Sequence, residues 1–311
     1  MSRVIHNGES YLALRPPLSE LSDVLGDGDL ESQETLRFVE LLSTELAKGR
    51  IDLPGFPEVV SRIHRVLADD NVSTATVGRV IGGEPVLAGQ LLQLANSAVM
   101  SRGGKPVTDV PAAIMRVGLN AVRSSTMSFA VRQLRQSSAT PELHEHIAAL
   151  WRRSVRVGTT AYVLARRFTN INPDTALLAG LLQGVGRLYI LARAGQFPAL
   201  FNEKRTYAVI EQRWHLQVAR SVLESWQTTD EIMRAIRISE DYDRESSGKV
   251  SLGDVLLTAC ILATYQSKPE TLEAEVFKAK PTQRFGLTPE IWGAVLAEAR
   301  EEINAFKETL G

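Results

Sequence analysis

The apolar residues of this chain recur at helical intervals almost from one end to the other, and that spacing constrains its fold most. Leu87, Leu91, Leu94 and Ala98 follow an i, i+4, i+7, i+11 pattern, as do Val157, Ala161, Leu164 and Phe168. The series returns at Leu178, Leu182, Val185 and Tyr189. There Leu177, Leu181 and Leu188 add a second stripe, which implies a helix buried on most sides. No stretch alternates with the period of two that a half-buried strand needs. The expected fold class is therefore all-α, a dozen or more short helices joined by tight loops. Ser73 is placed to cap one helix, Pro85 and Pro173 to occupy the first turns of two others, and Asn96 with Ser97 to close one.

Composition narrows the class. The 311 residues are 44% hydrophobic and 23% charged, which supplies a substantial core and excludes a disordered chain. A single cysteine cannot form an internal disulfide and points to a reducing, cytoplasmic setting. No apolar run is read as approaching the roughly 20 residues that cross a bilayer, and the first ten residues lack the apolar segment of a signal peptide. No membrane association is expected.

The net charge of −1 hides a segregated distribution. Residues 1–50 carry −4, 51–84 carry −2, 85–173 carry +8 and 174–311 carry −3. Nucleic acid, a phosphorylated ligand or an acidic protein could use the basic third. So could the chain itself, if its acidic flanks fold over that third or its arginines are dispersed on solvated faces. No helix-turn-helix spacing or aromatic interleaving accompanies the arginines, which ranks nucleic acid below protein as a partner.

Motifs that would carry catalysis are missing. There is no Gly-x-Ser-x-Gly, no phosphate loop ending in Gly-Lys-Ser/Thr and no His-Glu-x-x-His. Cys260 lies in an apolar stretch and reads as a buried, inert thiol. His144 and His146 stand two apart on a helix start, where side chains point about 200° from each other and cannot share one ion. The run from Asp23 to Glu34 offers Leu25 where a calcium loop needs an oxygen, so it reads as a solvated acidic loop. Gly180, Gly184 and Gly186 fall inside a helical pattern and read as places of close helix packing. Trp151 and Trp226 read as core anchors. A C-terminal helix over about 288–309 sets a charged face (Glu298, Arg300, Glu301, Glu302) opposite Ile291, Val295, Ala299 and Ile303. It either docks on the core or offers a partner surface.

Longer stretches carry more. Leu-Pro-Gly-Phe-Pro-Glu-Val-Val (53–60) is followed by Val-Ile-Gly-Gly-Glu-Pro-Val-Leu-Ala-Gly-Gln-Leu-Leu-Gln-Leu-Ala-Asn-Ser-Ala (80–98). Pro-Val-Thr-Asp-Val-Pro-Ala-Ala-Ile-Met-Arg-Val-Gly-Leu comes next (106–119). With Leu-Trp-Arg-Arg-Ser (150–154) and Leu-Ala-Gly-Leu-Leu-Gln-Gly-Val-Gly-Arg-Leu (178–188), they resemble the HDOD domain. This bacterial output domain is related to the HD superfamily of metal-dependent phosphohydrolases. The resemblance implies a two-lobed helical architecture whose second lobe is HD-like. It divides the chain into an extension with one helix (1–50), an N-terminal lobe (51–140), a degenerate HD-like lobe (141–267) and a C-terminal helical segment (268–311).

For the site, the resemblance implies loss. Arg153 stands where the first ligand histidine is expected, and Gln183-Gly184 where a His-Asp pair is expected. His215 matches a family histidine, eleven residues before Trp226. Later histidines are replaced by Ile238, Ser239 and Glu240, and the closing aspartate is missing around 259–264. One retained ligand cannot hold a catalytic metal, and an arginine among the ligand positions repels one. No catalytic residue, metal or cofactor is expected.

Two readings of the old site stay open. Arg153, with Arg152, Arg156, Arg187 and His215, would make an anion pocket for a nucleotide or phosphate. Alternatively, Arg153 is salt-bridged at the surface and His215 is an ordinary hydrogen-bonded residue at a helix start. The function implied is that of a bacterial, cytoplasmic, non-catalytic signal-transduction output protein. It would act through contacts with regulatory or signalling proteins. A residual phosphohydrolase and a nucleic-acid-binding regulator are the alternatives.

Overall fold

A computed structural model describes residues 33–47, 57–69, 71–97, 100, 104–136, 140–197, 200, 204–245 and 248–310. Among them the apolar stripes become fourteen α-helices and no strand. Helix α1 (Gln33–Ala47) precedes a first lobe of α2 (Glu58–Val66), α3 (Thr74–Gly82), α4 (Pro85–Asn96), α5 (Val110–Val117) and α6 (Leu119–Gln136). The second lobe holds α7 (Pro141–Phe168), α8 (Pro173–Leu182), α9 (Val185–Ala194), α10 (Lys204–Ser225), α11 (Asp230–Ile238) and α12 (Leu252–Tyr265). Helix α13 (Pro269–Lys278), a 3₁₀ segment (Lys280–Phe285) and α14 (Pro289–Leu310) follow. Residues 1–32 of the N-terminal extension, with most of the acidic run beginning at Asp23, and residues 51–56 lie outside the described residues.

Local chemistry sets the boundaries. Ser73 Oγ accepts from the Thr76 amide at 3.1 Å to start α3, and Asp109 caps α5 in the same way at 2.8 Å. Pro85 and Pro173 occupy first turns, as expected from their missing N–H. Asn96 does more than close α4. Its side-chain amide donates to the Val107 carbonyl and accepts from the Val107 amide, both at 2.8 Å, which staples the following loop to the helix end. Gly118 separates α5 from α6 with a φ of 82°, a backbone state that residues with a Cβ rarely adopt.

Two apolar cores form, and α6 belongs to both. Val122, Phe129 and Ala130 join Val60, Ile63, Val77, Leu87, Leu91 and Ile114 in the first lobe. Met127, Val131 and Leu134 join the larger core of the second. The lobes also meet where the His64 ring stacks on Trp226, with centroids 4.9 Å apart and planes 19° apart. Burial, aided by nearby Arg123, pushes His64 down to about 3, so the stacked imidazole is neutral at ordinary pH.

Several expectations need correction. The stripe from Leu177 to Tyr189 is two helices, broken at Gln183-Gly184. Apolar periodicity continues across the break because both helices bury their faces in one core. The stretch Pro173–Ala194 is, by length and composition, long and apolar enough to cross a membrane, contrary to the sequence reading, although 78% of its apolar 18-residue window is buried within the fold. Not all helices are short: α7 runs 28 residues, α10 and α14 22 each. Trp226 is buried in the core, and Trp151, half-buried, packs against it, so both act as core anchors.

Helix α14 docks on the core. Trp292, Val295, Leu296 and Ala299 are buried. Glu298, on the charged face of this helix, is 18% exposed and ion-paired to Arg166 and Arg167, while Glu302 reaches Arg166 at 3.2 Å. Helix α1 docks similarly, Glu45 pairing with Arg193 and accepting from the Tyr189 hydroxyl. Part of the charge segregation is thus spent within the molecule, the acidic C-terminal segment covering basic residues of α7.

Candidate functional site

Six parts of the second lobe converge where the resemblance places the old metal site. Helix α7 brings Arg153 and Ser154, and the α8–α9 break brings Gln183 and Gly184. The first turn of α9 supplies Arg187, and α10 supplies Glu211 and His215. Glu240, just past the end of α11, and Cys260 of α12 close the group. Glycine at 184 permits the approach of α7, since a Cβ there would lie 2.6 Å from Ser154 Oγ.

Arg187 is the centre of the carboxylates. Its Nε lies 3.3 Å from Glu211 Oε1, and its Nη2 lies 2.9 Å from Glu240 Oε1. His215 Nε2 is 3.1 Å from the same Nη2 and 3.2 Å from Glu240 Oε2. It can donate to the carboxylate or accept from the guanidinium, one at a time. Burial pushes the Glu240 carboxyl up, but the His215 hydrogen bond and the Arg187 charge outweigh it and hold the group down at about 2. His215 sits in the middle of α10, 1% exposed, and not at a helix start as the sequence reading had it. Sequence reasoning missed Glu211. Its position four residues before His215, on the same helical face, was the available signal.

The depressed Glu240 carboxyl has a pH consequence. Its contribution is present above the ordinary glutamate value of 4.5 and is lost as pH falls from there towards about 2. The side chain is 42% exposed, so solvent screening leaves an expected contribution of about 1 kcal/mol. Glu240→Gln is expected to flatten that limb of an acid-unfolding curve; an unchanged slope would contradict the assignment.

The other arginines divide. Arg152 is turned outward, its side chain 54% exposed and ion-paired to Glu145 at 2.5 Å, and does not join the group. Arg153 is half-buried and donates to Gln183 Oε1 at 3.3 Å. It has no carboxylate partner among the described residues, so the surface salt bridge is corrected. Arg156 is half-buried and likewise without one, and burial, with Arg153 and Arg152 nearby, lowers its pKa. Cys260 is half-buried and faces this site, not only apolar neighbours. Burial raises its thiol to about 11 against the pull of Arg153 and Arg187, so it stays protonated.

The donor set does not fit the metal that HD enzymes use. A guanidinium, a neutral amide and a glycine fill three ligand positions, and the cation between the remaining carboxylates is Arg187. Among the described residues no three His, Cys, Asp or Glu side chains are grouped to hold an ion. His144 and His146 are exposed on α7.

Comparison with known proteins bears on the family. The model of the HDOD domain matches residues 53–242. A curated relative, an uncharacterised protein of Treponema pallidum (strain Nichols), is 22% identical over 210 residues, 63% of this chain. The match spans 39% of that relative's own length. A structure from Shewanella amazonensis SB2B, provisionally named a metal-dependent phosphohydrolase, superposes with a TM-score of 0.67 at 26% identity, covering 89% of this chain and 99% of its own. An HDOD domain protein of unknown function from Geobacter sulfurreducens gives a TM-score of 0.57 at 21% identity, covering 87% and 99%. With the family model matching more than half of the sequence, across both lobes of an all-helical fold, the chain belongs to the HDOD domain family.

Proposed function

We propose that this protein is a non-catalytic regulatory output protein that works by binding regulatory or signalling proteins, its ancestral phosphohydrolase chemistry lost. One observation carries the loss: Arg187, neutralised by Glu211 and Glu240 and touching His215, supplies the positive charge that a metal would supply in an HD enzyme. A guanidinium cannot lower the pKa of a bound water to make a hydroxide nucleophile, which is what the metal contributes in such enzymes. With Arg153 and Gln183 beside it, a divalent ion would have to displace one cation and tolerate another. Membership of an output-domain family supports the regulatory half of the reading.

Two measurements test it. Protein purified without chelator is expected to carry no stoichiometric divalent metal and to hydrolyse no phosphodiester, with or without added manganese. Turnover that disappears in His215→Ala would overturn the reading. The positive half requires a protein partner recovered from the native host to bind the purified chain directly; failure of every recovered candidate in that reconstitution would contradict it.

A further inference from the structure

Phe277, near the end of α13, is 80% exposed, more than any other large apolar side chain among the described residues. A phenyl ring held in water forgoes the burial that stabilises the rest of the fold, so its position calls for a physical reason. Helix α13 does not need the ring for its own packing, because Leu272 and Val276 make its buried contacts with the core. At about 100° per residue, Glu273, Ala274, Phe277 and Lys278 fall together on the opposite side. All four are exposed. Beside Phe277 the surface stays open: a cavity of about 240 Å³ lies between α13 and the start of α14, with Val276, Leu287 and Trp292 on its walls and Glu273 also lining it.

The charges on this face are complementary to the face itself. Glu273 precedes the ring and Lys278 follows it. Neither has an ion-pair partner among the described residues, whereas neighbouring Lys280 is paired with Glu245 at 3.1 Å. The Lys278 ammonium lies over the Tyr242 ring, 5.6 Å from its centroid, a contact that leaves its charge uncancelled. Two copies of α13 laid antiparallel, about a twofold axis passing between Ala274 and Phe277, bring Glu273 of each opposite Lys278 of the other. In the same register each Phe277 ring lies over the other copy's Ala274, where a single methyl leaves room for it. Laid parallel in register, the same helices would oppose Glu273 to Glu273 and Lys278 to Lys278.

We propose that the exposed face of α13 is a dimer interface whose occupant is a second copy of this chain, the two helices packing antiparallel through Phe277 on Ala274 and Lys278 against Glu273. Such an interface is isologous, each contact occurring twice about the axis. Its size sets its strength. A helix of ten residues is about 15 Å long and presents far less than the roughly 800 Å² per partner of a standard interface. The dimer is therefore weak and reversible, with a dissociation constant on the order of 10–100 µM. The inference does not rest on the regulatory reading above, since the face lies on α13, outside the old metal site.

Sedimentation equilibrium of the full chain over about 2–500 µM, a range that brackets the expected dissociation constant, tests the interface. The wild type is expected to pass from monomer to dimer across that range. Phe277→Ser should weaken association about tenfold or more, as loss of a central aromatic anchor does. Glu273→Lys and Lys278→Glu each set like charges opposite one another, so each variant alone should stay monomeric. Mixed together, these two variants regain opposite charges at both contacts and should associate with near wild-type strength, and the double variant should do so with itself. All of these side chains are exposed, so the variants should melt as the wild type does, and the mixing experiment stays decisive if Phe277→Ser does not. A wild type that remains monomeric throughout would overturn the proposal and leave the face to a different protein. A dimer that Phe277→Ser leaves intact, or charge variants that fail to complement each other, would overturn it as well.

Discussion

Replacing Asp254 by alanine is expected to cost about 3–5 kcal/mol of stability, the range for removing one partner of a buried ion pair. Asp254 is fully buried at the start of α12. One carboxylate oxygen accepts from Arg244. The other accepts from Arg284 at 2.7 Å, from the Ser251 amide at 2.8 Å and from the Ser251 hydroxyl at 2.9 Å. Alanine would leave two guanidinium groups, each 18% exposed, facing an empty space, and would remove half of the capping box that starts the helix. The carboxylate therefore ties three segments together: the connection before α12, α12 itself and the 3₁₀ segment carrying Arg284. A fall in melting temperature on the order of 10 °C is expected for a chain of this size. Hydrogen exchange should quicken first around Arg244 and around 280–285. Asp254→Asn, which keeps acceptor capacity but not charge, should fall between the two. A change under about 1 kcal/mol for the alanine variant would show that the buried cluster is not what holds these segments.

Gly186→Ala is the second large effect, and here two physical terms oppose each other. Alanine in place of glycine favours a helix by about 1 kcal/mol. At position 186, however, the added Cβ would overlap the His215 carbonyl oxygen and lie 2.8 Å from the Ala219 amide nitrogen. These are backbone atoms of α10, which cannot rotate out of the way, so α9 and α10 must separate. The expected net loss is about 3 kcal/mol or more. Since His215 and Arg187 sit at the same contact, their hydrogen bond should be lost as well. Gly293→Ala is the control. Its Cβ would meet nothing within 4 Å on the outer side of α14, so propensity alone should act and stability should rise slightly. Urea unfolding of both variants separates the terms; similar shifts in both would refute the steric account.

These two positions show how unevenly the fold was legible. Gly186 could be read as a place of close packing because glycine in a strongly apolar helical stripe has few other uses. The identity of its neighbour, the backbone of α10 thirty residues on, could not. The N-caps at Ser73 and the prolines at 85 and 173 were legible because a cap is a local interaction within three residues. The break at Gln183-Gly184 was not, because apolar periodicity reports which faces are buried and not whether the axis bends. The docking of α14 through Glu298 was left open for a related reason. A charged residue on a helical wheel looks solvated until another helix supplies Arg166 and Arg167.

The candidate site divides along the same line. The sequence determined that the chain is helical, which residues replace the metal ligands, and that positive charge is concentrated in the basic third. Those are properties of residue type and spacing, fixed before anything packs. Only the tertiary structure decided which arginines are neutralised. Arg152, Arg153, Arg156 and Arg187 are equivalent cations in the sequence. In the fold, Arg152 finds Glu145 on its own helix and Arg187 takes Glu211 and Glu240 from two other elements. Arg153 is left with the neutral amide of Gln183, and Arg156 with no carboxylate among the described residues. Pairing depends on side chains far apart in the chain being brought within about 4 Å, and an ion pair's strength depends on how much water is removed around it. Neither quantity exists until the helices have packed.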